Sequence, residues 1–154
     1  MPIRSLAVIN FKDMKTELKI YTSFVSPLTL KMFTSKGLLP IFIIRNIGNS
    51  ELIGKYSDTA VHFRDLAPSN ETFREWRDKK ITDEEYLKKY ACEIGNIDLE
   101  QFLRDLEGLV EVSGAKGIVL LGYGQQSKRC HRSVLREILN NSGLLVNRVC
   151  EILV

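Results

Sequence analysis

The sequence is poor in the residues that staple or punctuate small proteins. It holds three cysteines, two histidines, four prolines and one tryptophan in 154 residues. Cys92, Cys130 and Cys150 are odd in number and unequally spaced, which excludes a disulfide framework. There is no C-x-x-C pair, and His62 and His131 alone supply too few closely spaced ligands for a structural zinc or other metal site. Reduced thiols are expected, and with them a cytoplasmic setting. No run reaches the roughly 18 apolar residues of a spanning helix, which argues against a membrane. Residues 1–10 carry one positive charge and no small-residue cleavage site, which argues against a secretory signal. Finally, no acidic residue lies between Lys116 and Arg136.

What is present suits a globular chain. Apolar residues make up 44% and charged residues 27%. A chain of this length hides roughly 68–70% of its unfolded surface and so needs no staples. It matches one domain spanning residues 1–154. Net charge is +3 but uneven. Residues 1–70 carry nine basic and five acidic side chains, and residues 71–111 carry seven and twelve. The block 116–136 has five basic side chains, a local positive field that draws phosphates and other anions.

Periodicity gives the elements. Residues 4–11 read as a strand. Residues 18–24 alternate with period two, Leu18, Ile20, Thr22 and Phe24 on one face and Lys19, Tyr21 and Ser23 on the other. Ser26-Pro27 fits a helix start and Gly37 a helix stop. Residues 39–45 form a continuous apolar run ending in arginine, as in a strand covered on both faces. DLAPS at 65–69 is a turn, and 71–77 a short helix. Thr82 with Glu85 is a capping box, followed by a stripe of Tyr86, Leu87, Tyr90, Ala91 and Ile94. Asp98 with Gln101 opens a further helix. Residues 117–123 form another buried strand, a helix begins near Cys130 and stops at Gly143, and 144–149 read as a last strand. This alternation predicts a three-layer α/β domain with a mostly parallel central sheet.

The strongest chemical signal is SKRCHR, residues 127–132, in the loop after a buried strand and at a helix start. Helix N-termini expose unpaired amide donors and a partial positive charge, which favours anions and a thiolate there. In open α/β sheets ligands lie beyond the carboxyl ends of the strands. That rule gathers Thr22, Ser23, Arg45, Asn46 and Gly124 with Cys130, His131 and Arg132. Arg45 reads equally as an anion clamp or as a surface residue where its strand emerges. His131 reads equally as a structural side chain or as a proton carrier. Arg136 reads as a solvated residue on the flank of Arg132, and His62 as structural. Cys130 and Arg136 satisfy C-x5-R, but seven residues part Gly122 from Cys130 and the intervening segment reads as helix, unlike a phosphatase loop. Gly122, Gly124 and Ser127 make an imperfect G-x-G-x-x-G without the strand-to-helix register of a dinucleotide site.

Strands IYTSF and IFIIR, the turn DLAPS, a helix bearing Tyr86 and Tyr90, and the run IVLLGYGQQSKRCHRSVL together resemble the prokaryotic family called domain of unknown function 488. The resemblance spans residues 18–139. It implies that Cys130, His131 and Arg132 match the family's Cys-His-Arg, that Thr22 and Ser23 match its polar residues after the first strand, and that Arg45 matches its arginine after the second. It also implies two departures. Gly122 stands where the family has a cysteine and Gly124 where it has a glutamate, which removes a dithiol partner and a carboxylate base. The family supplies no reaction and no cofactor.

Three functions follow as expectations. In the first, a phosphate-bearing small molecule or nucleotide binds at the Cys-His-Arg helix start. Arg45 and Arg132 clasp the anion, Cys130 acts as nucleophile or polar contact, and His131 is its proton partner. In the second, Lys116, Lys128, Arg129, Arg132 and Arg136 with Tyr123 bind nucleic acid. In the third, the chain is a non-catalytic interaction protein. The first makes Arg132 a ligand residue whose loss abolishes anion binding and leaves the melting temperature nearly unchanged.

Overall fold

A computed structural model describes residues 15–44, 61–122 and 130–153. The expected strand at 4–11, together with Arg45, Asn46, Tyr123, Gly124, Ser127, Lys128 and Arg129, lies outside these residues. In chain order the elements are β1 (Ile20–Phe24), α1 (Pro27–Ser35), β2 (Leu38–Phe42), β3 (Val61–His62), a 3-10 turn (Arg64–Leu66), α2 (Asn70–Arg77), α3 (Asp83–Ile94), α4 (Leu99–Ser113), β4 (Gly117–Gly122), α5 (His131–Asn141) and β5 (Cys150–Glu151). The strands form one sheet in the order β3-β2-β4-β1-β5. Every pairing among them is parallel.

The central strand, β4, explains the layering. All six of its residues are buried. Ile118 and Leu120 enter one apolar cluster with Tyr86, Leu87 and Tyr90 of α3, Phe102, Leu103 and Leu106 of α4, and Val134, Leu135 and Leu139 of α5. Val119 and Leu121 enter a second cluster with Leu30 and Phe33 of α1. Alternate residues of one strand therefore feed cores on both faces, and the result is a three-layer α/β fold. Each fully buried side chain of this kind stabilises the fold by about 1.5–3 kcal/mol.

Local signals set the helix ends. Ser26 caps α1, and its hydroxyl accepts from the Thr29 amide at 3.0 Å while Pro27 takes the first helical position. Thr82 and Glu85 cap α3 reciprocally, at 3.2 and 3.1 Å. Asp98 accepts from the Gln101 amide at 3.1 Å and opens α4. The DLAPS turn is fastened to α3 twice. The Tyr90 hydroxyl donates to the Leu66 carbonyl at 2.7 Å, and the Glu93 carboxylate accepts from the Ser69 amide, the Ser69 hydroxyl and the Thr72 hydroxyl at 2.7–2.8 Å.

One expected element differs. Residues 144–149 do not form the last strand: Leu145 makes only an isolated bridge to Thr16, and the paired residues are Cys150 and Glu151. Asn140 is the physical reason. Its side chain accepts from the Val149 amide at 2.7 Å and donates to the Val149 carbonyl at 3.1 Å, so those backbone groups turn to α5 rather than to a neighbouring strand.

The path of the chain defines a crevice. From β1 the chain crosses by α1 on one face and reaches β2 on the far side of β4. From β4 it crosses by α5 on the other face and reaches β5 on the far side of β1. Opposite directions on opposite faces keep the crossovers of one hand. Adjacent strands whose exits part in this way mark a topological switch point, where ligands bind in open α/β sheets.

Close approach also constrains the other end of β4. A Cβ on Gly117 would lie 2.8 Å from the Lys19 carbonyl oxygen and 3.2 Å from Leu38. Gly117→Ala is expected to destabilise the fold by about 1–3 kcal/mol, because backbone must move to admit the methyl group. Urea denaturation measures this, and an unchanged midpoint would contradict it.

Candidate functional site

The carboxyl ends of β1 and β4 meet the start of α5. Cys130 precedes the helix in extended conformation, with φ at −144°. Its amide donates to the Ser133 hydroxyl at 3.0 Å, and that hydroxyl donates back to the Cys130 carbonyl at 2.6 Å. The Cys130 side chain is half-buried, whereas Cys92 and Cys150 are exposed; all three are free thiols.

His131 is the first helical residue and is 7% exposed. Its ring meets Tyr90 edge-on, with centroids 5.5 Å apart and planes at 80°. Its Nε2 lies against the bare Cα of Gly122, where a Cβ would come within 2.7 Å. Among the described residues Nε2 has no hydrogen-bond partner. Burial first, and the neighbouring Arg132 charge second, push its pKa from 6.5 down to about 4, against a smaller pull from Glu151. The imidazole is therefore neutral at pH 7, and a buried neutral ring nitrogen without a partner costs about 1–3 kcal/mol.

Arg132 is enclosed by its partners. It has no exposed surface. Its Nε and Nη2 donate to the two carboxylate oxygens of Glu151 at 3.3 and 3.0 Å, and its Nη1 donates to the Gly122 carbonyl at 3.2 Å. Arg136 is not simply solvated: its Nη1 donates to Glu151 Oε1 at 3.1 Å and to the Thr22 hydroxyl at 2.8 Å. Thr22 in turn donates to Glu151 Oε1 at 2.7 Å, and Ser23 donates to the Ile152 carbonyl at 3.1 Å. Thr22 and Ser23 are fully buried. In this structure the side chains of Thr22, Ser23 and Arg132 face the interior and fasten α5 and β5 across the crevice.

Glu151, Tyr86 and Tyr90 were not among the expected site residues. Burial raises the pKa of Glu151, but hydrogen bonds from Arg132 and Thr22 and the charges of both arginines outweigh it, so the carboxyl is held below its usual range. One sequence signal marked Glu151: it is the sole acid after Glu137, set among Val149, Cys150 and Ile152. Tyr86, one helical turn before Tyr90, is buried, and its phenol is pushed well above the usual range by burial and then by the nearby Cys130.

The basic block does not assemble as one surface among the described residues. Lys116 stands at the amino end of β4, where its amide donates to the Gly37 carbonyl at 2.8 Å, while Arg132 and Arg136 are paired at the opposite end. The same residues include no cluster of histidine, cysteine and carboxylate side chains suited to a metal ion. No helix among them is long and apolar enough to cross a membrane.

An all-parallel α/β sheet with a polar site at its switch point defines the general class. Within it, the family model DUF488-N3a, described as "Active DUF488-N3 subclade", matches residues 45–143. The chain belongs to that family. Comparisons with curated proteins and with solved structures found no match.

Two outcomes follow from this geometry. Arg132→Ala is expected to lower stability by about 3 kcal/mol, because it strips a buried carboxylate of its main partner; chemical denaturation checks it, and a near-wild-type midpoint would show that the pairing is unimportant. Both His131 and Glu151 have lowered pKa values in the folded state, so their contributions are complete at neutral pH and fade as pH falls. For His131 the loss runs from 6.5 to about 4 and is on the order of 3 kcal/mol. Denaturation at stepped pH is expected to show this decline, and His131→Gln to flatten it.

Proposed function

We propose that this chain is a cytoplasmic protein that holds an anionic, phosphate-bearing ligand at the amino end of α5, where Cys130 serves as nucleophile or polar contact and His131 as its proton partner. The observation that carries this reading is the buried Nε2 of His131 at the switch point, which has no hydrogen-bond partner among the described residues. A ring nitrogen left without a partner in a packed interior favours a ligand atom that hydrogen-bonds it, and the tautomer with Nε2–H donates to an anion's oxygen. An uncharged imidazole is also the form able to accept a proton.

The electrostatics support an anion rather than a cation. Two guanidinium groups, those of Arg132 and Arg136, stand with the Glu151 carboxylate behind the helix start. The helix dipole adds a partial charge of the same sign. Arg132 acts here as a positioning residue: it ties the Gly122 carbonyl at the tip of β4 to β5 and thereby orients Cys130 and His131, its neighbours in the chain. Arg45 and Asn46, which follow β2 in the chain, and Gly124, which follows β4, are assigned to the ligand. That the matching subclade is described as active supports a chemical role for the site.

A chain carrying Cys92→Ser and Cys150→Ser leaves Cys130 as its single thiol. Its alkylation by iodoacetate and by iodoacetamide tests the proposal. The anionic reagent is expected to gain at least about tenfold over the neutral one relative to a free thiol, and inorganic phosphate to slow both. Equal reagent preference with no protection by phosphate would overturn it.

A further inference from the structure

The groups around Glu151 have the make-up of an oxyanion receptor. Arg132 offers Nε and Nη2 to the two carboxylate oxygens at 3.3 and 3.0 Å, the planar fork with which arginine grips a carboxylate or a phosphate. Arg136 brings a second guanidinium, its Nη1 donating at 3.1 Å, and the Thr22 hydroxyl donates at 2.7 Å. Arg132 and Thr22 have no exposed surface. The donors stand on β1 and α5, whereas the acceptor comes from β5. Phosphate oxygens meet such a fork as carboxylate oxygens do.

This receptor lies where a ligand is expected. It sits at the carboxyl end of β1, beside the crevice at the switch point. It adjoins His131 through one residue. A Cβ on Gly122 would lie 2.7 Å from His131 Nε2 and 3.5 Å from Arg132 Cγ, so the imidazole and the arginine stem flank the same stretch of backbone. The Gly122 carbonyl in turn accepts from Arg132 Nη1 at 3.2 Å.

The strand that delivers the carboxylate is short and marginal. β5 has two residues and lies at the edge of the sheet, beside β1. The Ile152 amide donates to the Thr22 carbonyl at 2.8 Å, and the Ser23 hydroxyl donates to the Ile152 carbonyl at 3.1 Å. Just before the strand, Asn140 of α5 holds both backbone groups of Val149, at 2.7 and 3.1 Å. Val149 is therefore a fixed point on α5, and the residues after it have their own, separate ties to β1.

We propose that Arg132, Arg136 and Thr22 form an oxyanion-binding site that Glu151 fills in this structure, and that a phosphate-bearing ligand takes the place of the carboxylate and releases β5 from β1. The inference rests on the anion reading above and adds its regulation: Glu151 is an internal competitor that sets the affinity of the ligand. Binding that must first empty an occupied site is weakened by the fraction of chains in which that site is open.

Inorganic phosphate is the probe, with chloride at equal ionic strength as control. In the unaltered chain phosphate is expected to speed hydrogen exchange of the Ile152 amide at least about tenfold and to leave the Val149 amide unchanged, which separates release of β5 from general unfolding. In the chain with Cys130 as its single thiol, Glu151→Gln keeps the size of the side chain and removes its charge. It is expected to lower the phosphate concentration that half-protects Cys130 from iodoacetate by at least about tenfold, and Arg136→Ala added to it to undo the gain. The exchange measurement needs no substitution, so it decides the matter even where Glu151→Gln fails to fold. If phosphate protects Cys130 while Ile152 exchange and the half-protecting concentration stay unchanged, the internal competitor is refuted and the anion site stands. If phosphate protects Cys130 in neither chain and leaves exchange unaltered, both fall together.

Discussion

The pairing of Arg132 with Glu151 organises this end of the molecule. A guanidinium with no exposed surface is costly to desolvate, and it is tolerated only where its donors are met. Here the carboxylate takes two of them and the Gly122 carbonyl a third. The same carboxylate also accepts from Thr22 on β1 and Arg136 on α5. One ion cluster thus joins the tips of three parallel strands to the first two turns of a helix. The crevice that the topology opens is bridged by charge, and the residues just before Arg132 are held at its mouth.

Helix α3 plays the complementary part on the opposite flank. Its Tyr90 reaches the DLAPS turn through its hydroxyl and His131 through its ring. Its Glu93 closes the amino end of α2, and its Tyr86 supports Trp76. The turn that looked in the sequence like simple punctuation is therefore anchored by two donors of Ser69 to one carboxylate, which also accepts from Thr72 on α2. Through α3, the outer aromatic rings and the buried histidine share a single rigid support.

Much of the architecture was legible in the chain. The alternation of Ile118, Val119, Leu120 and Leu121 announced a strand with two buried faces, and the Thr82–Glu85 and Asp98–Gln101 spacings marked helix starts that the structure contains. The placement of Cys130 just ahead of a helix was legible too. The partner of Arg132 was not. Glu151 lies 19 residues from Arg132 and 129 from Thr22, and no local pattern pairs residues at such separations. An arginine at a helix start reads as an anion ligand until the acid that meets it is known. Likewise the displacement of the last strand to Cys150 followed from Asn140, whose hold on Val149 is a tertiary contact.

Gly122 and His131 are sterically one decision made at two positions. The imidazole fills the volume that any larger residue at 122 would claim. The resemblance implies a cysteine there in other family members, and such a chain has to swing its histidine away from the strand tip or shift the whole helix start. Placing that cysteine at 122 in this chain therefore collides with His131 unless the ring or the helix start moves with it.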